Sequence, residues 1–140
     1  MVKTFFEALK NENPLKIVGC INPFTALLAE KSGLKGLYIS GAGVANASYG
    51  LPDLALTSLD NVLNDLRKMT AVTELPILVD CDTGWGSALN ISRTIKEMVS
   101  AGASGVHIED QVSQKRCGHR PNKEIVSDSE MMDRIKAAKD

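Results

Sequence analysis

Pro76-Ile77-Leu78-Val79-Asp80-Cys81-Asp82 is apolar until its end, and Thr83-Gly84-Trp85-Gly86 then turns the chain. A short apolar run closed by glycines reads as a strand covered on both faces, as parallel strands are. Beyond it, Ile91, Ile95, Met98 and Val99 recur at helical spacing up to Gly102, so a helix follows the strand. The same unit repeats on either side. Upstream, residues 16–21 form a β-branched run that ends at Asn22-Pro23, where proline suits the first turn of a helix over residues 24–31, stopped by Gly33. Gly36-Leu37-Tyr38-Ile39-Ser40 is the next strand. It opens into Gly41-Ala42-Gly43, a loop of small residues, and a long connection over residues 44–56. Thr57-Ser58-Leu59-Asp60 has the form of a capping box, and Leu59, Val62, Leu63, Leu66 and Met69 give the helix after it an apolar face. Downstream, Gly105-Val106-His107-Ile108-Glu109 is a fourth strand, and Ser127-Asp128-Ser129-Glu130 caps a fourth helix with Met131, Ile135 and Ala138 facing inward.

Strand followed by helix, four times over, implies an α/β fold of parallel strands joined by right-handed crossovers. Four such units equal the first half of a TIM-type (β/α)8 barrel, which takes about 250 residues. Residues 1–140 are therefore expected to form one domain that is incomplete as a barrel, with two bare sheet edges. The expectation is either a truncated product or a chain that pairs with another copy.

Composition excludes several classes. Hydrophobic residues make up 44% of the chain, ordinary for a globular domain, and the net charge of -1 with scattered basic residues argues against a nucleic-acid partner. The three cysteines, Cys20, Cys81 and Cys117, are far apart and odd in number, so neither a disulfide framework nor a zinc knuckle is expected, and a reducing cytoplasm fits. Residues 1–14 carry Phe5, Phe6 and Leu9 among charges, too polar for a signal peptide or a membrane span. A short amphipathic helix lying on the domain is expected there.

In parallel α/β folds the functional loops lie beyond the carboxyl ends of the strands. Ser40-Gly41-Ala42, Asp80 with Asp82, and Glu109 with the segment after it all fall on that rim. Asp80 and Asp82, two apart on a strand, point to the same side, and paired carboxylates of this kind suit Mg2+ or Mn2+, with Glu109 as a further direct or water-mediated ligand. A solvated strand-end cap is the plainer alternative. His107, in register with Glu109, is either a satisfied core histidine or a catalytic one. Tyr38, in register with Ser40, either packs in the core or brings its hydroxyl to the site. Ser40-Gly41-Ala42 can offer backbone N–H groups to a carboxylate, and Trp85 packs between its turn and helix.

The densest stretch is Lys115-Arg116-Cys117-Gly118-His119-Arg120. Cations around a thiol favour the thiolate, so Cys117 is expected to titrate toward neutrality and to exchange a proton at physiological pH. Gly118 lets the backbone approach a ligand closely. Local positive charge in this loop points to a small anionic ligand.

Leu78-Val79-Asp80-Cys81-Asp82-Thr83-Gly84-Trp85-Gly86, His107-Ile108-Glu109-Asp110-Gln111 and the Lys-Arg-Cys-Gly-His string of residues 115–119, in order with Tyr38-Ile39-Ser40-Gly41-Ala42-Gly43 and Gly50-Leu51-Pro52-Asp53-Leu54, resemble the isocitrate lyase and phosphoenolpyruvate mutase superfamily. Within it, the likeness is strongest to the branch that cleaves 2-methylisocitrate. The resemblance covers essentially the whole chain and only the N-terminal half of the family's barrel. It implies a cytoplasmic, Mg2+-dependent carbon–carbon lyase that splits a tricarboxylate, 2-methylisocitrate, into pyruvate and succinate in propionate catabolism. It places the metal on Asp80 and Asp82 with Glu109 and Asp53 in the outer shell. The pyruvate carboxylate goes to Ser40, Gly41 and Ala42, and the succinate end to Cys117 and Gly118. Cys117 is the implied general acid, tuned by Arg116 and His119, with Tyr38 reaching the site. The intact family assembles as tetramers, so a homo-oligomer is expected. Two positions depart from the family pattern: Cys81 stands where a small apolar residue is usual, and Ser87 where glycine is. Two other readings remain beside it, an oxaloacetate hydrolase or related lyase of the superfamily and a non-catalytic half-barrel that self-associates.

Overall fold

The computed structural model describes residues 4–140. Met1, Val2 and Lys3, where the expected N-terminal helix begins, lie outside the described residues. The chain runs α1 (Phe5–Asn11), β1 (Val18–Gly19), α2 (Pro23–Lys31), β2 (Leu37–Ile39), α3 (Gly41–Gly43), a π-helical segment (Val44–Ser48), α4 (Leu59–Thr70), β3 (Ile77–Asp80), α5 (Ala88–Ser100), β4 (Gly105–His107) and α6 (Asp128–Lys139). The four strands form one sheet in the order β1-β2-β3-β4, every pair parallel, as the repeating units require. No helix among the described residues is long and apolar enough to cross a membrane.

Sequence chemistry accounts for where the elements start. Pro23 occupies the first turn of α2 behind an Asn22 cap that accepts from Thr25 N–H, and Gly33 ends it at φ +88°, a conformation that costs glycine little. In α4 the capping pair is Ser58 with Asn61, one residue beyond the expected Thr57 and Asp60. Thr57 is buried instead, and its carbonyl accepts from Trp85 Nε1 at 3.0 Å. Trp85 therefore ties the turn after β3 to the start of α4.

The core lies between the sheet and α2, α4 and α5. Leu37, Ile39, Ile77 and Val79 of the two inner strands meet Ala26, Val62, Leu63, Leu66, Met69 and Met98, all buried. In β2 and β3 the helix-facing residues are buried and Tyr38 and Leu78 on the other face are half-buried, whereas the edge strand β1 is exposed and β4 is half-buried. The ring of Phe5 lies where a Cβ on Gly36 or Gly105 would come within 3.3 and 3.6 Å of it, so α1 covers the amino ends of β2 and β4. Its Phe6 and Leu9 point outward.

Three expectations are corrected. Gly41–Gly43 is a helical turn that runs on into the π segment, because Ser40 acts as an N-cap: its hydroxyl accepts from Gly43 N–H and its carbonyl from Val44 N–H. On α5, Val99 is 66% exposed, and Thr94 takes the inward position with its hydroxyl on Gly84 O at 3.1 Å. On α6, Ile135 is 55% exposed, and Arg134 is the buried residue.

Candidate active site

β3 ends at Asp80, so Asp82 is not on a strand: it sits at φ +46° in the turn closed by Gly84 N–H on Cys81 O. The two carboxylates converge nevertheless. A Cβ on Gly41 would stand 3.0 Å from Asp82 Oδ1 and 3.1 Å from Asp80 Oδ2, so a side chain there would press on both carboxylates. Gly41 N–H donates to Asp80 Oδ2 at 2.9 Å, and Asp82 N–H to Asp80 Oδ1 at 3.0 Å. The N–H expected to serve a ligand carboxylate at Gly41 thus holds the protein's own carboxylate. Ala42 and Ser40 are half-buried beside it, Ala42 O accepting from Asn46 Nδ2.

Tyr38 and His107 complete this side. The Tyr38 hydroxyl lies 2.7 Å from His107 Nε2 and 3.4 Å from Asp80 Oδ2, and the two rings stack with centroids 5.6 Å apart. Burial, reinforced by the nearby Asp80 charge, pushes the Tyr38 phenol well above its ordinary range, so it stays a hydrogen-bond donor. Cys81 points away into the core, where burial pushes its thiol up to about 12 and leaves it unreactive. Ser87, at the other departure from the family pattern, stands at the N-cap of α5 and bonds Asn90 Oδ1.

Backbone pairing carries β3 and β4 past their formal ends: Cys81 N–H donates to His107 O and Glu109 N–H to Asp82 O. This brings Glu109, half-buried, to the acid pair. Burial raises both Asp82 and Glu109 above the ordinary carboxylate range, with Lys115 working in the opposite direction. Lys115, expected among the cations around the thiol, turns instead into the acids. Its Nζ lies 2.6 Å from Asp53 Oδ1 and 2.7 Å from Asp82 Oδ1. Burial lowers its affinity for a proton, but the two carboxylates outweigh that and hold it above the ordinary lysine range. Asp53 is thereby brought to the edge of the acid cluster by a salt bridge.

The thiol loop is more open. Cys117 Sγ lies 3.5 Å from His119 Nδ1, Cys117 is half-buried, and Arg116, Gly118, His119 and Arg120 are exposed. Lys123 closes the loop from below by donating to Gly118 O and Arg120 O, both at 2.8 Å.

Three polar residues of this framework are not evident from motif alone. Gln111, buried, donates to Glu109 Oε2 and Arg116 O and accepts from Arg116 N–H, so it fixes both the acid and the base of the Cys117 loop. Arg134 donates to Glu109 O, Gln111 O and Glu130 Oε1, tying α6 to the same strand end. Asp65 on α4 accepts from Ser48 and Lys68, pinning the π segment that follows Gly41. The available signal is position: Asp65 falls on the stripe of Val62, Leu66 and Met69, and Arg134 on that of Met131 and Ala138, charges on otherwise apolar faces.

The donor set is compatible with a hard divalent cation. Among the described residues no three side chains form a ready cage. Asp82 Oδ1, however, is buried, and Lys115 approaches it off hydrogen-bonding angle, so this carboxylate oxygen has no hydrogen bond. Mg2+ takes one or two carboxylates and fills its other positions with water and substrate oxygens, which suits a convergent pair of acids with one buried oxygen held by an ion pair alone.

Known proteins share this fold and much of this sequence. The family model described as phosphoenolpyruvate phosphomutase matches residues 6–140. A curated 2-methylisocitrate lyase of Shewanella oneidensis is 63% identical over 136 residues, covering 97% of this chain and 47% of the relative. An oxaloacetate acetylhydrolase solved with 3,3-difluorooxalacetate superposes with TM-score 0.90 at 34% identity, covering 98% of this chain and 47% of that one. A phosphonopyruvate hydrolase solved with oxalate and Mg2+ gives TM-score 0.77 at 29% identity over 97% of this chain and 47% of that one. The chain thus spans about half the length of the relatives it matches. With a family match over nearly its full length, the chain belongs to the phosphoenolpyruvate mutase and isocitrate lyase superfamily.

Proposed function

We propose that this chain supplies the metal-binding acids and the thiol acid of a Mg2+-dependent lyase that cleaves 2-methylisocitrate to pyruvate and succinate. The substrate is taken from the likeness to the Shewanella oneidensis enzyme. The observation that carries the chemistry is the convergence of Asp80 and Asp82 on Gly41, with the buried Asp82 Oδ1 met by Lys115 as an ion pair and by no hydrogen bond. Asp80 and Asp82 would hold the ion, with Glu109 and Asp53 in reach of its waters. Bound there, Mg2+ supplies Lewis-acid polarisation of the substrate's hydroxyl and adjoining carboxylate.

The protein's own groups account for the remaining steps. Ser40, Gly41 and Ala42 line the side that receives the pyruvate carboxylate, and Cys117 with Gly118 the succinate side. As the carbon–carbon bond breaks, the substrate hydroxyl gives up its proton and becomes the carbonyl of pyruvate, and the bonding pair stays on the succinate carbon. The Cys117 thiol protonates that carbon, and His119 at 3.5 Å holds and reloads the thiol proton. The Tyr38 hydroxyl, bonded to His107 Nε2, gives the hydroxyl proton a path away from the acids. A soluble cytoplasmic setting in propionate breakdown and an assembly of several copies belong to the same reading; gel filtration tests the assembly.

A second reading, hydrolysis of oxaloacetate, is favoured by the TM-score of 0.90 to the acetylhydrolase. Offering the protein 2-methylisocitrate and oxaloacetate in parallel with Mg2+ separates the two. Pyruvate from the first supports the lyase; oxalate and acetate from the second with no pyruvate from the first overturns it.

A further inference from the structure

Lys115 is 2% exposed, yet it stands between two carboxylates from different segments, Asp53 from the connection before α4 and Asp82 from the turn after β3. It is itself two residues ahead of Cys117. Its ammonium makes a hydrogen bond of good geometry to Asp53 only; against Asp82 Oδ1 it has proximity without alignment. A lysine is rarely buried so completely unless paired. Here the pairing joins the segments that carry Asp53, the acid pair and the thiol.

Asp82 Oδ1 is also the oxygen left for a metal, and two cations at one oxygen repel each other strongly in a buried site. We infer that Lys115 is a built-in counter-cation of the acid cluster. It holds Asp53, Asp82 and the Cys117 loop in place before any metal arrives, and it weakens metal binding by standing on Asp82 Oδ1. The inference rests on the reading of Asp80 and Asp82 as metal-binding acids. It makes Lys115 a positioning residue that favours a site formed in advance over tight capture of the ion.

The test titrates Mg2+ by calorimetry into the unmodified chain, Lys115→Met and Lys115→Arg. It also follows hydrogen exchange of residues 51–56 and 112–120 in the unmodified chain with chelator and with Mg2+. Methionine keeps the length and apolar stem without the charge, and is expected to tighten Mg2+ binding at least about tenfold. Arginine is expected to bind the ion as weakly as lysine does. The two segments are expected to exchange equally slowly with and without Mg2+. Binding to Lys115→Met that is no tighter overturns the inference, as do segments protected only when Mg2+ is present. Should Lys115→Met fail to fold, the exchange comparison on the unmodified chain decides. Absence of Mg2+ binding in every version overturns the metal reading and this inference together, a result distinct from normal binding that ignores residue 115.

Discussion

Asp82 and Cys117 stand at opposite extremes of one site. Asp82 is buried, its backbone is held by Asp80 and Glu109, its side chain is paired with Lys115, and a glycine is shaped to fit against it. Cys117 sits on a loop whose neighbours Gly118, His119 and Arg120 are exposed, with His119 as its side-chain partner. On the proposed function, the difference matches what each would do. A metal site gains from ligands held in place before binding, whereas an acid that meets the substrate only after a bond has broken needs access from solvent. Gln111 and Lys115 at the start of the loop and Lys123 at its end set where the thiol is presented without enclosing it.

The comparison predicts that mutations on its two sides separate activity from stability. Cys117→Ser should lower turnover by about 10²–10⁴-fold, the range lost with a general acid, while thermal stability moves by less than about 0.5 kcal/mol. A large stability loss measured by denaturant titration would break the contrast. Asp80→Ala acts from the other side: it strips acceptors from Gly41 N–H and Asp82 N–H, and should cost about 3 kcal/mol and abolish stabilisation by Mg2+. A thermal shift with Mg2+ that survives the substitution would remove Asp80 from the metal site. Gln111→Leu lies between the two regions. It leaves Arg116 N–H and O unpaired and should cost about 1–2 kcal/mol, with faster proteolysis confined to residues 112–120.

The smallest effect concerns pH. Burial holds Asp82 and Glu109 above their ordinary values, so the folded state binds their protons more tightly than the unfolded chain does. The stability they contribute is complete below the ordinary carboxylate range of about 4 and is lost as pH rises through the raised values. Mg2+ favours the ionised pair and offsets that loss. Its stabilisation should therefore be about 2–4 °C larger near pH 7.5 than near pH 5 in thermal scans. A shift independent of pH would place the ion away from these two acids.

The fold was legible because its signals are local and redundant. The apolar run of Ile77–Asp80, the Pro23 start and Gly33 stop of α2, and the periodicity of α4 each state one element, and parallel pairing follows from their alternation. Pattern failed where a tertiary contact overrides it. The small residues after β2 read as a loop, but the Ser40 cap winds them into helix. Ile135 keeps the period of α6, but Arg134 takes the buried place because Glu109 O and Gln111 O offer it acceptors. In the site, Asp80, Glu109 and Tyr38 could be gathered from their places at or near the strand ends, whereas Asp82 joins them through a turn at φ +46° and not by strand parity. The turning of Lys115 away from the thiol could not, since it depends on Asp53, which is 62 residues away in sequence.

The most direct test is a crystal grown with Mn2+ in place of Mg2+, examined for anomalous scattering. A single manganese peak at coordination distance from Asp82 Oδ1, with Asp80 beside it, is the predicted result. A peak elsewhere, or none at Asp80 and Asp82 in a crystal that holds Mn2+ at another position, would contradict the assignment of these acids as the metal site.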